Sequence, residues 1–343
     1  MIDLRPDTEQ QAMADSIAAF LKDKLPLERH GPQDRIAHRH EFEIWRELAD
    51  LGCFALCMPE AHDGLGLGLA EDALVFREYG RHLLSPSMLA TTVAVQLAQA
   101  AGLDSQAGQL MQGSLRAALA IRVPAEGDGA ADAQAQYQLF AARPGDLVLA
   151  WSEEGLALHA HAAFSGMQEV RCTDESVTLH TATLAGGAAR LGWEATGSPL
   201  ALAALVRVSA MLVGISEAAR DMAVGYAQTR MQFGQLIGGF QAIKHRCADM
   251  ALRSEAAWSQ TVYAALSVNK GAADSAFQAA TAKLVATRAA LEGAADNIQT
   301  HGGMGFTAEI PAHLLLKRSH LLNQVGGNVR FQQGLLLTLP APG

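Results

Sequence analysis

The sequence predicts a mainly α-helical protein built from an N-terminal helical domain, a small middle β domain and a C-terminal four-helix bundle. Three stretches of pattern predict it. Apolar residues recur at helical spacing from Thr8 to about Gln112, the period fades from Leu115 to about Gly192, and it returns from Pro199 to about Leu337. The corresponding domain ranges are 1–114, 115–194 and 195–343.

In the first stretch Ala12, Ile17, Phe20 and Leu21 mark one helical face, and Ile44, Leu48 and Leu51 another. Pro59-Glu60-Ala61-His62-Asp63-Gly64-Leu65-Gly66-Leu67-Gly68 is rich in breakers and reads as the loop before the next helix. In the second stretch the short runs Ala118–Ile121, Leu147–Ala150 and Ser176–Leu179 are separated by Gly, Asp and Pro, which is the pattern of a small sheet. Residues 124–135, mostly Ala, Gly and Asp, are expected to form a mobile loop. In the third stretch helices are expected from Leu200 to Arg230, Phe240 to Leu266, Asp274 to about Ile298 and Pro311 to about Leu322. With short joins, an antiparallel bundle buries their apolar faces best.

Composition narrows the function. Of the 343 residues 50% are hydrophobic and 18% charged, an ordinary globular balance. A formal charge of −9 with no long Lys/Arg run argues against a nucleic-acid partner. The start, Met1-Ile2-Asp3-Leu4-Arg5, has no leader pattern, and the apolar run Leu200–Val206 is broken by Arg207, so a cytoplasmic protein without a membrane span is expected. Cys53, Cys57, Cys172 and Cys247 lack the spacing of a zinc site or disulfide framework and read as buried thiols. No Glu is followed three residues later by His, which excludes a two-metal bundle of the Glu-x-x-His kind, and no metal is expected. The phosphate-loop and nucleophile-elbow motifs are absent. The His38-Arg39-His40 cluster within Arg35–Glu43 reads as a solvated helix face, and Met211, Met222, Met231 and Met250 as core fillers.

Two segments carry chemistry. In Arg230-Met231-Gln232-Phe233-Gly234-Gln235-Leu236-Ile237-Gly238-Gly239-Phe240-Gln241, a guanidinium at a helix end can grip a pyrophosphate. Gly234 permits a turn, Phe233 offers a flat apolar surface, and Gln241 carries an amide that both donates and accepts. Taken singly, an Arg closing a helix or a Phe in a core explains each residue as well. In Gln299-Thr300-His301-Gly302-Gly303-Met304-Gly305-Phe306-Thr307, three glycines in four positions allow close approach of a backbone to a ligand.

Together these segments resemble the R-x-x-F-G-x-x-I-x-x-F-Q and Q-x-x-G-G-x-G signatures of the acyl-CoA dehydrogenase family, and Pro59-Glu60 with the Gly64–Gly68 run resembles its P-E-x-x-G-G-x-G loop more weakly. Asp63 stands where a glycine is usual. The resemblance implies FAD as cofactor, an acyl-CoA substrate, dimer or tetramer formation, and a surface at Arg230, Phe233, Gln241, Gln299, Gly302 and Gly303 that meets the adenine half of an FAD held chiefly by a neighbouring subunit.

The family reaction removes the α proton of an acyl-CoA thioester with a carboxylate while hydride passes from the β carbon to the flavin. At this point the sequence departs from the pattern. The family spacing places the usual base at Gly326 and the alternative base at Ala204. No Asp or Glu follows Glu309, and none lies between Glu194 and Glu217, so a register error of a few residues restores neither. The flavin-ring segment is reduced as well: Arg122-Val123-Pro124 keeps only the proline, and neither Trp151 nor Trp193 stands in a recognisable flavin-covering motif. These departures resemble the short, base-less partner chains of heteromeric dehydrogenases acting on steroid side-chain CoA thioesters. The expectation is therefore a partner subunit that adds FAD contacts to a catalytic chain. The alternatives are a self-sufficient enzyme with an unusual base, for which His301, His320 and Glu309 are the nearest candidates, and a non-catalytic helical scaffold without FAD.

Overall fold

The computed structural model describes residues 4–30, 38–123 and 135–340. The expected loop over 124–135 lies almost wholly outside this range, as does Pro124. The chain forms two compact units. One comprises Met1–Arg35, Leu69–Leu83 and Leu205–Gly343, the other Ile36–Gly68 and Leu84–Ala204. In chain order helices are followed by a sheet and then by helices, the order that the sequence predicts.

In the second unit helices α2 (His38–Glu43) and α3 (Trp45–Asp50) precede the breaker-rich loop, and α5 (Pro86–Ala100) and α6 (Asp104–Met111) precede the sheet. Helix α5 opens with Pro86 at its first position, where the missing N–H costs nothing. The preceding Ser85 amide donates to both carboxylate oxygens of Glu41, at 3.0 and 2.9 Å. Glu41 is 1% exposed, so the charged stretch expected to be a solvated face contributes one side chain to the interior.

The sheet has seven strands: β1 (Ala117–Arg122), β2 (Gln136–Phe140), β3 (Leu147–Trp151), β4 (Gly155–Ala160), β5 (Phe164–Val170), β6 (Leu179–Leu184) and β7 (Gly192–Ala195). Their order is β5-β6-β2-β1-β3-β4-β7, with β1 and β3 parallel and every other pair antiparallel. Strand β1 is central and buried along Ala117–Ala120, which is why it reads as a continuous apolar run rather than an alternating one. Ala118, Ala120, Leu139, Val148, Ala150, Ala157 and Ala182 form the core of one face, closed by Tyr137 and Phe164. The expected strand Ser176–Leu179 begins only at Leu179. Asp174 draws Ser176 into a turn by accepting from its amide at 3.1 Å and its hydroxyl at 2.6 Å, a local bond that competes with strand pairing.

In the first unit α1 (Thr8–Lys24) starts at a capping box made by Asp7 and Gln10. Helix α4 (Leu69–Arg81) and the 31-residue α7 (Pro199–Thr229) cross with their backbones nearly touching. A Cβ on Gly80 would stand 1.9 Å from Met211 O, and one on Gly214 would stand 1.9 Å from Arg77 O. The crossing is flanked by ionic contacts: Arg77 donates to Glu217 at 2.7 Å, and Arg81 to Glu217 at 3.0 Å and to Asp221 at 2.6 Å. One turn deeper, Arg207 Nε meets Asp72 at 2.5 Å with both side chains fully buried. The helix expected over Leu200–Arg230 thus runs through Arg207 with its charge paired. By length and composition the helix could cross a membrane, and 78% of its most apolar window is buried within the protein.

Helices α8 (Gln241–Asn269), α9 (Ser275–His301), α10 (Ala312–Gln324) and α11 (Val329–Leu336) complete this unit. Ser216 of α7 bonds Ser254 of α8 at 2.7 Å and Ala289 O of α9 at 3.1 Å, and Gly293 fits against Ser216. Small residues at these positions bring three helices to one seam. Some expected burials are reversed. Met231 is 58% exposed, and Cys57, Cys172 and Cys247 are only half-buried.

Candidate functional site

The geometry of α7 and α9 decides where the two motif segments lie. Asn297 Nδ2 donates to Met222 Sδ at 3.3 Å, and the Tyr226 ring stacks on His301 at 4.2 Å. Both pairs are 75 residues apart (297 − 222; 301 − 226). A constant difference means that the two helices run parallel, as expected for the first and third members of an up-down-up series. The turn after Thr229 and the turn after His301 therefore emerge at the same end of the unit. Arg230, Phe233, Gln241, Gln299, Gly302 and Gly303 are all placed at that end, and all are exposed.

The first turn is a hairpin. Strands β8 (Met231–Gln232) and β9 (Gln235–Leu236) pair through Phe233 and Gly234, whose φ angles of 52° and 80° are those of a two-residue hairpin turn. Glycine adopts this backbone freely. Phe233 does so at a cost of roughly 1–2 kcal/mol and presents a ring that is 93% exposed. Phe240 supports it edge-on at 6.2 Å. Neither the strain nor the exposure serves the unit's own core, and this combination marks a contact surface. The Arg230 backbone closes the turn by accepting from Ile237 at 2.8 Å, while its exposed guanidinium makes no ion pair among the described residues.

The second turn, Gly302–Phe306, leaves α9 through Gly302 at φ 60°. No atom lies within 4 Å of where a Cβ on Gly302 or Gly303 would stand, so backbone amides on this turn can be approached closely. Gly305 instead packs against Ile298, where a Cβ would stand 2.5 Å from the Ile298 carbonyl oxygen. An uncommitted guanidinium, an outward aromatic ring and open glycine backbone fit the phosphate and adenine portions of a dinucleotide such as FAD.

The two expected base positions contain no acid. Ala204 is fully buried in α7. Gly326 and Gly327 have φ values of 71° and 95°, so this turn has glycine geometry at two successive residues. It is also fastened. Buried Gln332 donates to Gly326 O at 2.7 Å, Asn323 Oδ1 accepts from Val329 N at 3.2 Å, and a Cβ on Gly327 would stand 2.3 Å from the Phe331 ring. Beneath it Lys283 of α9, 1% exposed, donates to Asn323 O at 3.2 Å and Thr287 Oγ1 at 3.3 Å. Burial pulls this ammonium down to about 7. A donor at the last carbonyls of α10 is favourable and explains a lysine in an alanine-rich helix.

Of the candidates for an unusual base, His301 is 5% exposed and donates from Nδ1 to Asn297 O at 2.9 Å, while His320 and Glu309 are exposed. Trp151 is buried in β3 and Trp193 lies half-exposed under Arg190 at 4.2 Å. Arg122 pairs with Glu154 at 3.4 Å. Among the described residues no group of three or more His, Cys, Asp or Glu could hold a metal. Sequence reasoning missed Tyr226, Lys283 and Gln332. Tyr226 had no motif around it, whereas a lone lysine within Ala279–Ala290 was a readable signal.

Comparison with known proteins gives matching results. Residues 7–116 match the acyl-CoA dehydrogenase N-terminal domain family and residues 191–336 the C-terminal domain family. The chain is 33% identical over 333 residues to acyl-CoA dehydrogenase IpdE2 of Mycobacterium tuberculosis, covering 92% of each. Its fold is similar to the ChsE4–ChsE5 complex of Mycobacterium tuberculosis, with TM-score 0.78, 21% identity and full coverage of both chains. It is also similar to PigA with FAD and proline, with TM-score 0.76, 20% identity and 98% of each chain covered.

Proposed function

Since the chain belongs to the acyl-CoA dehydrogenase family of flavin oxidoreductases, we propose that it acts as a partner subunit in the α,β-dehydrogenation of an acyl-CoA thioester. In this reading its exposed surface completes an FAD site held chiefly by a second dehydrogenase chain, in a cytoplasmic hetero-oligomer. The observation that carries the reading is the missing base: Gly326 and Ala204 stand at the two usual positions, with no Asp or Glu after Glu309 or between Glu194 and Glu217.

FAD, when bound, accepts the hydride of the β carbon. The residues of this chain bind and orient. Arg230 places a delocalised charge against a diphosphate, Phe233 covers an apolar ring, Gln241 and Gln299 offer amides, and Gly302 and Gly303 allow backbone N–H groups to approach. The α proton is removed by a carboxylate of the other chain. A two-chain precedent within the fold is ChsE4–ChsE5. The substrate class proposed is a lipid or steroid acyl-CoA, in keeping with the short partner chains that this sequence resembles.

The test is purification of this chain from its source with whatever chain accompanies it, followed by co-expression of the two. The expected result is a yellow two-chain complex that an acyl-CoA bleaches anaerobically, while this chain alone is not bleached. A homo-oligomer with full FAD occupancy that turns over an acyl-CoA unaided would overturn the proposal.

A further inference from the structure

Tyr226 lies one helical turn before Arg230, and His301 immediately precedes Gly302. Their rings stack at 4.2 Å with an interplanar angle of 26°. His301 is held from behind. Its Nδ1 faces a carbonyl, which can only accept, so the Nδ1 proton is donated to Asn297 O at 2.9 Å. Asn297 is itself fully buried and reaches across to Met222 Sδ at 3.3 Å. Met222–Asn297 and Tyr226–His301 thus form two successive rungs between parallel helices, and the aromatic rung is the one next to the two turns.

The turns gain little hold from their own side chains. Phe233, Phe306 and Met304 are 93%, 81% and 38% exposed. Gly305 is packed against the Ile298 backbone of its own helix, not against α7. We propose that Tyr226 and His301 form a strut that sets the spacing between the Arg230 turn and the Gly302 turn. They are positioning residues for a diphosphate- and adenine-bearing ligand. This inference rests on the reading of that surface given under Proposed function.

The test compares Tyr226→Ala, His301→Ala and Tyr226→Phe, which keeps the ring, in the purified protein together with any chain that accompanies it. The first readout is amide hydrogen exchange without added ligand. Tyr226→Ala is expected to speed exchange in residues 302–307 as well as in its own turn, His301→Ala to speed it in residues 231–237, and Tyr226→Phe to do neither. The second is FAD affinity by flavin fluorescence, expected to weaken about threefold to tenfold in the two alanine variants, the range for losing one aromatic pair. Exchange confined to the turn carrying the substitution would overturn the strut. So would unchanged FAD affinity in both alanine variants. A wild-type protein that takes up no FAD would instead remove the reading of the surface, and the exchange comparison would still decide the strut.

Discussion

Gln332 Nε2 donates to the carbonyl oxygen of Gly326 at 2.7 Å from a side chain that is 1% exposed. The backbone at the expected base position is therefore held in a left-handed conformation by the interior of its own unit. Gly326→Glu is expected to supply a carboxylate without supplying a base. It should lower stability to denaturant by about 1–2 kcal/mol, the cost of an L residue in that region, and leave flavin reduction by acyl-CoA absent. Recovery of reduction in the isolated variant would show that the fastened Gly326 turn can carry a working base.

Lys283 gives the first unit a pH signature at the alkaline end. Its ordinary value is 10.5 and burial lowers it to about 7 in the folded protein. Between those limits the unfolded chain binds the proton and the folded one does not, so stability contributed by this group is complete above 10.5 and lost as pH falls towards 7. Lys283→Met should remove up to about 1.4 kcal/mol per pH unit of slope from the difference curve over that window. Parallel curves for the two proteins from pH 7.5 to 9.5 would show that Lys283 stays charged.

His82 acts at the acidic end. Its Nδ1 lies 3.0 Å from Leu25 O, and burial, with Arg29 and Arg81 nearby, lowers its value from 6.5 to about 4. The unfolded chain takes up the proton first, so stability falls as pH drops from 6.5 to 4 and the contribution is flat below that. At most about 3 kcal/mol is involved. His82→Gln keeps a donor for Leu25 O and should flatten this part of the profile in thermal melts between pH 4 and 7.

The α4–α7 crossing separates two glycines of one helix. Gly214→Ala gains about 1 kcal/mol of helix propensity but drives a methyl to 1.9 Å from Arg77 O, so a net loss of about 2 kcal/mol or more is expected. Gly225→Ala meets nothing within 4 Å and should be neutral or stabilising by up to about 1 kcal/mol. Equal effects in calorimetry would deny that the crossing is a backbone contact.

The long helices were legible because their apolar period persists over many turns: the expected Leu200–Arg230 is Pro199–Thr229, and Asp274–Ile298 is Ser275–His301. The turn at Gly234 was legible because few residues tolerate that backbone. Features set by a distant partner were not. Glu41 reads as surface until Ser85 N is seen against it, and Arg207 reads as a break in an apolar run until buried Asp72 is found paired with it. Ser176–Thr178 has strand composition, yet Asp174 takes the amides of Ser176 and Val177. The stacking of Tyr226 on His301 depends on a helix register that no local pattern records.

That register constrains how the chain can change length. An added residue in the α8–α9 link, Lys270–Asp274, leaves the pairing in space of α7 with α9 untouched. The same insertion inside α7 between Ser216 and Tyr226 rotates everything beyond it by about 100° around the helix axis, turning Tyr226 away from His301 and Arg230 with it. Lineages of this protein should therefore accumulate gaps in the connector and none in these two segments, so that the pair of helix ends is inherited as one calibrated part.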